Sequence, residues 1–219
     1  MKALVRRGRE ALFPSVVWHA DGARNAVALT FDDGPSLTTA AILDVLAAQG
    51  AQATFFVLGD RLRGRESLVL RAVAEGHEIG SHLVSHRNVR TLSPWQIARE
   101  VVTARTRIRD ACGTTPRFVR PPYGAAPTRL QRLAGPLGHT ATVMWSLNPR
   151  DWEAGADEIA ACVDTNLEPG AIVLLHDGLA PGRERSQDAT LAALPAILAT
   201  LCRRSLRPVT LTELLRDAP

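Results

Sequence analysis

The stretch Val27-Ala28-Leu29-Thr30-Phe31-Asp32-Asp33-Gly34-Pro35 joins an apolar, strand-like run to two adjacent carboxylates. Neighbouring side chains of a strand point to opposite faces, so Asp32 and Asp33 share one site only if regular pairing stops where they begin. Gly34-Pro35 is a stop signal of that kind. Taken alone, the stretch is equally compatible with a solvated turn, in which Asp side chains bond local backbone amides.

Beyond this stretch, short apolar runs alternate with longer segments that carry apolar residues at helical spacing. Strands are predicted at Val27–Phe31, Ala53–Leu58, Glu78–Gly80, Arg117–Val119, Ala141–Trp145, Ala171–Leu175 and Arg207–Thr210. Helices are predicted at Thr38–Gln49, Glu66–Glu75, Pro94–Ala111, Thr128–Leu137, Asp157–Leu167 and Ala189–Arg203. Strands separated by helices of this length pair in parallel with right-handed crossovers. The pattern predicts a single α/β domain with about seven parallel strands, close to but short of a complete eightfold barrel.

Composition excludes several classes of protein. The 46% apolar and 22% charged residues are typical of an ordinary globular chain. The net charge of +4 comes mainly from scattered arginines that form no run, so no nucleic-acid partner is indicated. The three cysteines are odd in number and widely spaced, unlike a disulfide framework or a zinc-finger set.

Two features of the chain bear on its location. No secretory signal is visible near the N-terminus, because Arg and Glu interrupt its apolar residues, and no apolar run is long enough to span a membrane. As the sequence stands we expect a cytoplasmic protein; a secreted or cell-envelope protein is expected if a preceding segment has been removed.

Chemical groups follow most of the predicted strands. In parallel α/β folds the ligand site gathers at the carboxyl ends of the strands. The residues found there are Asp32 and Asp33 after the first strand, His82 and His86 after the third, Arg120 to Gly124 after the fourth, Asn148 to Trp152 after the fifth, and His176 and Asp177 after the sixth. The sequence therefore predicts a polar site at one edge of the sheet.

His82 and His86 are four residues apart, so on a single helical turn both imidazoles would face the same way. The spacing alone is a weak signal, because histidine often serves as a satisfied polar residue. A carboxylate on the same edge strengthens it. Two histidines and one carboxylate leave a fourth position open for water, which is the arrangement of catalytic zinc.

Five ordered motifs together resemble the polysaccharide deacetylases of the NodB-homology type, carbohydrate esterase family four. They are "TFDDGP" (Thr30–Pro35), "HLVSH" (His82–His86), "RPPYG" (Arg120–Gly124), "RDW" (Arg150–Trp152) and "LLH" (Leu174–His176). Each motif is modestly specific, whereas all five in order are highly specific. The resemblance runs from about residue 26 to the end. It implies a deformed, incomplete (β/α) barrel and metal-dependent removal of acetyl groups from N-acetylated sugars.

The resemblance also implies a role for each motif. Asp33, His82 and His86 would hold one divalent metal, zinc in the first place, with cobalt or nickel as alternatives. Asp32 would be the general base and His176 the general acid. Arg120 would orient Asp32, and Asp151 would orient His176 and raise its pKa. The backbone amide of Tyr123 would stabilise the oxyanion, while Pro121, Tyr123, Trp152 and Leu174 would contact the substrate.

The chain departs from the family pattern at two positions. Leu83 stands where relatives commonly have Thr or Ser, and Asn148 where they often have Asp. Both changes are expected to bear on substrate fit more than on whether chemistry occurs.

The resemblance divides the chain into an N-terminal extension (1–25) that packs on the domain and a catalytic domain (26–219). The expected partner is an acetylated glycan or a small N-acetyl sugar, bound by a monomer.

Three other functions are weighed against this interpretation. A signalling receiver domain also places paired acids after its first strand, but it needs a lysine at a later strand end, and Lys2 is the only lysine. A non-catalytic carbohydrate-binding relative would lack Asp32 or His176, and both are present. An O-acetyl esterase, or a hydrolase of another small C–N amide or imide bond, would use the same residues.

The remaining histidines and tryptophans are expected to be structural. His19, His77 and His139 are expected at the surface or as caps, because nothing in the sequence pairs them. Trp18, Trp95 and Trp145 are expected in the core, because large aromatic side chains dominate core burial.

Overall fold

The strand that ends in the two carboxylates lies inside the sheet. It spans Ala26–Asp32, every residue of it is buried, and strands flank it on both sides. A strand covered on both faces requires apolar residues in succession, which is what this run supplies. The computed structural model describes residues 16–125, 130, 132–133, 135–179 and 187–216.

Eight strands and six helices are described in this part of the chain. The strands are β1 (Val16–Val17), β2 (Ala26–Asp32), β3 (Thr54–Val57), β4 (Glu78–Ser81), β5 (Phe118–Val119), β6 (Ala141–Val143), β7 (Ile172–His176) and β8 (Arg207–Pro208). The helices are α1 (Leu37–Ala48), α2 (Glu66–Ala74), α3 (Pro94–Cys112), α4 (Ala156–Asn166), α5 (Asp188–Arg203) and α6 (Leu211–Arg216). Short 3-10 turns lie at Gly59–Arg61, Val89–Thr91 and Pro122–Gly124.

The strands form one parallel sheet with the order β1-β6-β5-β4-β3-β2-β7, and β8 pairs with the start of β2. The sheet curls until its ends nearly meet. Beyond β6, Leu147 forms an isolated parallel bridge with Val173 of β7. The predicted deformed, incomplete (β/α) barrel is therefore confirmed, and the carboxyl ends of its strands share one rim.

Alternate residues of β2 pack into two different hydrophobic clusters. Val27, Leu29 and Phe31 pack with residues from the helices, whereas Ala26 and Ala28 belong to a cluster that also contains side chains of β6 and α6. A third cluster lies behind the loop after β4 and joins Leu83 to the buried face of α3. The rim is thus backed by packed side chains.

All seven predicted strands are present, with ends that differ by at most two residues. Five of the six predicted helices are present. The sixth, Thr128–Leu137, is described only in part, with helical residues at 130, 132 and 133 and a turn over 135–137. The sequence did not indicate β1 or α6, which are too short to show a period. Residues 16–25 contribute β1 to the same sheet. The predicted boundary between an N-terminal extension (1–25) and a catalytic domain (26–219) stays a prediction. No described helix combines the length and the apolar character that crossing a bilayer demands.

The expectations for isolated histidines and tryptophans are wrong at several positions. His77 and His139 are buried rather than exposed. His77 accepts a hydrogen bond from the Ala53 amide, and burial lowers the pKa of both imidazoles, that of His139 to about 4. Trp95 is 70% exposed because it lies off the buried face of α3, and Trp18 is 49% exposed.

Candidate active site

A cavity of about 280 Å³ opens at the rim formed by the carboxyl ends of the strands. It gathers nine of the residues that the sequence analysis singled out: Asp32, Asp33, His82, His86, Pro121, Tyr123, Trp152, Leu174 and His176. Arg120 and Asp151, the other two, lie buried directly behind Asp32 and His176. The five motifs therefore meet at one place.

The two adjacent carboxylates reach the cavity by different routes. Asp32 is the last residue of β2, whereas Asp33 has a left-handed backbone with φ of 70° and leaves the strand direction. The turn is held from the end of β7, where the amide of Asp177 donates to the Asp32 carbonyl at 3.1 Å. The buried Asp177 carboxyl fills the space beside Gly34, so a Cβ at that position would lie 2.1 Å from its Oδ2. Only glycine fits there.

Asp33, His82 and His86 form a group of buried side chains that could hold a metal ion. Oδ1 of Asp33 lies 3.1 Å from Nε2 of His86 and 3.4 Å from Nε2 of His82. Two ligands on a tetrahedral ion with bonds of about 2.0 to 2.1 Å are separated by nearly this distance. The same Oδ1 is buried and lacks a hydrogen-bond partner among the described residues. The donor set therefore fits a divalent metal.

The protonation states of Asp33 and His82 also suit a cation. Burial opposes ionisation of Asp33, but the two imidazoles beside it outweigh that effect and lower the pKa of its carboxyl. Nδ1 of His82 lies 2.9 Å from the carbonyl oxygen of Arg120. A carbonyl only accepts, so Nδ1 carries the proton and Nε2 presents a lone pair to the cavity.

His82 and His86 lie on an irregular loop rather than on a helical turn. Leu83 and His86 both have left-handed backbones, which bring the two imidazole centroids to 5.3 Å. Glu100 of α3 holds this loop, because its Oε2 accepts from the amides of Val84 and Ser85 and its Oε1 accepts from the Ser85 hydroxyl. No short-range signal indicates Glu100, since it lies on a helix that begins after the motif ends.

Leu83 and Asn148, the two departures from the family pattern, both have structural explanations. Leu83 is fully buried and anchors the histidine loop in the third core cluster by apolar packing. Oδ1 of Asn148 accepts a hydrogen bond from the Arg150 amide at 2.9 Å, a side-chain turn that an Asp at this position would also form.

Arg120 is fully buried, and its hydrogen bonds connect the end of β2 to the end of β6. Its guanidinium donates to Oδ1 of Asp32 at 2.8 Å and to the Thr30 hydroxyl at 2.8 Å. It also donates to the carbonyls of Val143 and Met144, and it lies 4.1 Å from the centre of the Phe56 ring. The carboxylate of Asp32 is therefore held in one orientation, with Oδ2 3.9 Å from Nε2 of His82.

His176 ends β7 and is the register partner of Asp32 on the neighbouring strand. Its Nδ1 lies 2.7 Å from Oδ1 of Asp151, and its amide donates to Oδ2 of the same carboxylate. Burial by itself lowers the pKa of the imidazole, but the charge and hydrogen bond of Asp151, aided by Asp32 and Asp33, raise it to about 9. The imidazole is protonated at neutral pH, with Nε2 as the remaining donor.

Asp151 has a partner that the sequence did not indicate. The Thr190 hydroxyl of α5 donates to its Oδ2 at 2.7 Å.

Trp152 stands edge-on to His176 with ring centroids 5.4 Å apart. Gly124 of the RPPYG motif also lines the cavity, together with three residues that the sequence did not indicate, which are Trp145, Leu179 and Gln187. Trp145 follows β6, so its position at a strand end was the signal that could have identified it.

Comparison with known proteins gives one family. Residues 19–142 match the family model described as polysaccharide deacetylase. A chitooligosaccharide deacetylase of Bradyrhizobium sp. (strain ANU 289) is 42% identical over 82% of this chain and 85% of its own length. A peptidoglycan-N-acetylglucosamine deacetylase of Bacillus cereus is 37% identical over 95% of this chain and 97% of its own.

Solved structures agree with this result. The crystal structure of a peptidoglycan N-acetylglucosamine deacetylase superimposes with a TM-score of 0.85 at 31% identity, covering 92% of each chain. The match of the family model over more than half of the sequence, together with relatives of this similarity, leads to one conclusion. The chain belongs to the polysaccharide deacetylase family.

Proposed function

We propose that this protein is a metal-dependent hydrolase that removes N-acetyl groups from N-acetylated glycans of the chitooligosaccharide or peptidoglycan type. One observation carries the proposal. The Asp33–His82–His86 group lies in a single cavity between a carboxylate fixed by Arg120 and an imidazolium fixed by Asp151. Hydrolysis of an amide requires such a set, because the carbonyl is a weak electrophile and the amine is a poor leaving group.

We assign zinc to the metal site. Two imidazole nitrogens and one carboxylate oxygen with an open fourth position are the donors of catalytic zinc. Cobalt and nickel accept similar donors and are the alternatives. When bound, the metal polarises the amide carbonyl and lowers the pKa of water toward about 7.

Two residues, one on each side of the cavity, perform the two proton transfers. Asp32 takes the proton of the attacking water, since Arg120 holds its carboxylate toward the metal-binding group. His176 gives a proton to the departing nitrogen, since Asp151 keeps its imidazole charged and orients Nε2. The backbone amide of Tyr123 stabilises the oxyanion, a contribution of about 3 to 4 kcal/mol for one donor in other hydrolases. Pro121, Trp152 and Leu174 form apolar walls that receive the acetyl methyl.

Replacement of Asp151 by Asn tests the assignment of the acid. The variant loses the charge that raises the pKa of His176, so the alkaline limb of the kcat profile moves to lower pH by about one to three pH units. The measurement is the rate of acetate release against pH. Glu153→Gln is the matched control, because this exposed carboxylate on the same loop pairs with Arg150 and not with His176. An alkaline limb that stays in place in the Asp151→Asn variant would contradict the assignment.

The substrate class is tested by measuring acetate release by the zinc-loaded protein from four groups of compounds: chitooligosaccharides, peptidoglycan, acetylated xylan and small N-acetyl sugars. We expect release from the first two. Release from acetylated xylan alone would replace the proposal with an O-acetyl esterase. No release from any of the four would overturn it.

A further inference from the structure

The cavity has an aromatic neighbour that none of the five motifs contains. The chain has four tryptophans and one tyrosine. Tyr123, Trp145 and Trp152 line the cavity, and Trp18 packs edge-on against Trp145 with ring centroids 6.4 Å apart. Four of these five large aromatic side chains therefore stand at one rim.

The topology explains why Trp18 reaches this rim. It directly follows β1, which pairs in parallel with β6, and the Met144 amide donates to the Val17 carbonyl at 2.7 Å. Trp18 and Trp145 thus leave neighbouring strands one residue out of register, since Val17 pairs with Val143. The carboxyl ends of the other strands on this rim supply Asp32, His82, Arg120 and His176. Trp18 belongs to the same edge as the candidate active site, at its β1 end.

The exposure of Trp18 is not explained by packing. Its side chain is 49% exposed although it contacts a half-buried tryptophan. An indole costs free energy when its face is left in water, and large exposed aromatic side chains beside a cavity are typical of binding surfaces. The apolar C–H face of a pyranose ring is a flat partner of the right chemistry for such an indole, with the hydroxyls left at the edge in water.

We infer that Trp18 forms an additional sugar subsite beyond the cavity, on which a further ring of the oligosaccharide stacks. The inference rests on the proposed function, and it adds to that function a residue that favours oligosaccharides long enough to reach from the cavity over Trp145 to Trp18. The occupant is a neutral sugar ring, because the two side chains that form the subsite, Trp18 and Trp145, are aromatic and uncharged.

Substitution of Trp18 by Ala tests the subsite through the dependence on substrate length. KM for acetate release is measured with the zinc-loaded protein on chitooligosaccharides from the disaccharide to the hexasaccharide. We expect KM of Trp18→Ala to rise about 3- to 10-fold for the longer oligomers, the effect of losing one aromatic stacking partner, with little change for the disaccharide. Trp18→Phe, which keeps a ring, recovers part of the loss.

Trp95→Ala is the matched control, because Trp95 is also exposed but lies on α3, away from the residues that line the cavity. An equal rise in KM at every length would give Trp18 a structural role through Trp145 and overturn the subsite. Unchanged KM at every length, or the same pattern in Trp95→Ala, would also overturn it.

Binding of the hexasaccharide to the zinc-loaded Asp32→Asn protein, measured by calorimetry, separates this inference from the proposed function. Tight binding that Trp18→Ala weakens in this background supports the subsite even if no acetate is released. Binding that is insensitive to Trp18, or no binding at all, overturns the subsite. Acetate release with normal length dependence in Trp18→Ala would leave the proposed function intact.

Discussion

Replacing Asp32 by Asn lowers the rate of acetate release by about 10²- to 10⁴-fold while zinc stays bound. The amide of Asn cannot take a proton from water, whereas the metal-binding group of Asp33, His82 and His86 is untouched. Acetate release and zinc content are measured on the same preparation.

Asp44→Asn is the control for this substitution, because Asp44 is an exposed carboxylate whose ion pair with Arg71 lies outside the cavity. It retains normal activity. Full activity in Asp32→Asn would exclude Asp32 as the base. A loss of activity that merely follows a loss of zinc would assign Asp32 to the metal site instead.

Replacing Arg120 by Met destabilises the fold by about 3 to 5 kcal/mol, the usual cost of removing one partner of a buried ion pair. Asp32 is left buried without its counter-charge, and the carbonyls of Val143 and Met144 lose their donor. In a chain of this size each kcal/mol lowers Tm by about 2 to 4 °C, so we expect a fall of about 6 to 20 °C. Thermal unfolding of the zinc-free protein measures it.

Two further variants test whether the loss of stability comes from the buried ion pair. Arg117→Met removes an exposed guanidinium beside the same strand, and its effect stays within about 0.5 kcal/mol. The double variant Arg120→Met with Asp32→Asn removes both charges, so it is more stable than Arg120→Met alone. If Arg120→Met unfolds at the wild-type temperature, the buried pair does not hold the rim together.

The strands and the residues of the candidate site could both be predicted from the sequence, for different physical reasons. The strands of the sheet could be predicted because a buried parallel strand needs a run of apolar residues, and β2 has one. The candidate site could be predicted because strand ends meet at one rim, and the ordered motifs mark those ends. The roles of these residues in catalysis stay predictions until the variants are measured.

The supporting residues could not be predicted because their partners are far away in sequence. Thr190 reaches Asp151 across 39 positions, and nothing around either residue indicates the hydrogen bond. Glu100 binds a loop whose left-handed backbone at Leu83 and His86 cannot be read from the HLVSH spacing, which suggested a helical turn. Such contacts depend on where whole elements pack.

The core position expected for Trp18 was wrong for a related reason. An apolar residue in the short segment before β2 resembles a core position, and β1 is only two residues long. Its position at the rim became evident only from its pairing with β6.

The measurement that tests the metal-dependent hydrolase most directly is acetate release from a chitooligosaccharide by the chelated protein, before and after zinc is restored. We predict one zinc per chain, loss of activity on chelation and its recovery with zinc, with no recovery when His82 is replaced by Ala. Acetate release that continues at the full rate in zinc-free protein, or a protein that binds no divalent metal, would contradict the assignment of Asp33, His82 and His86.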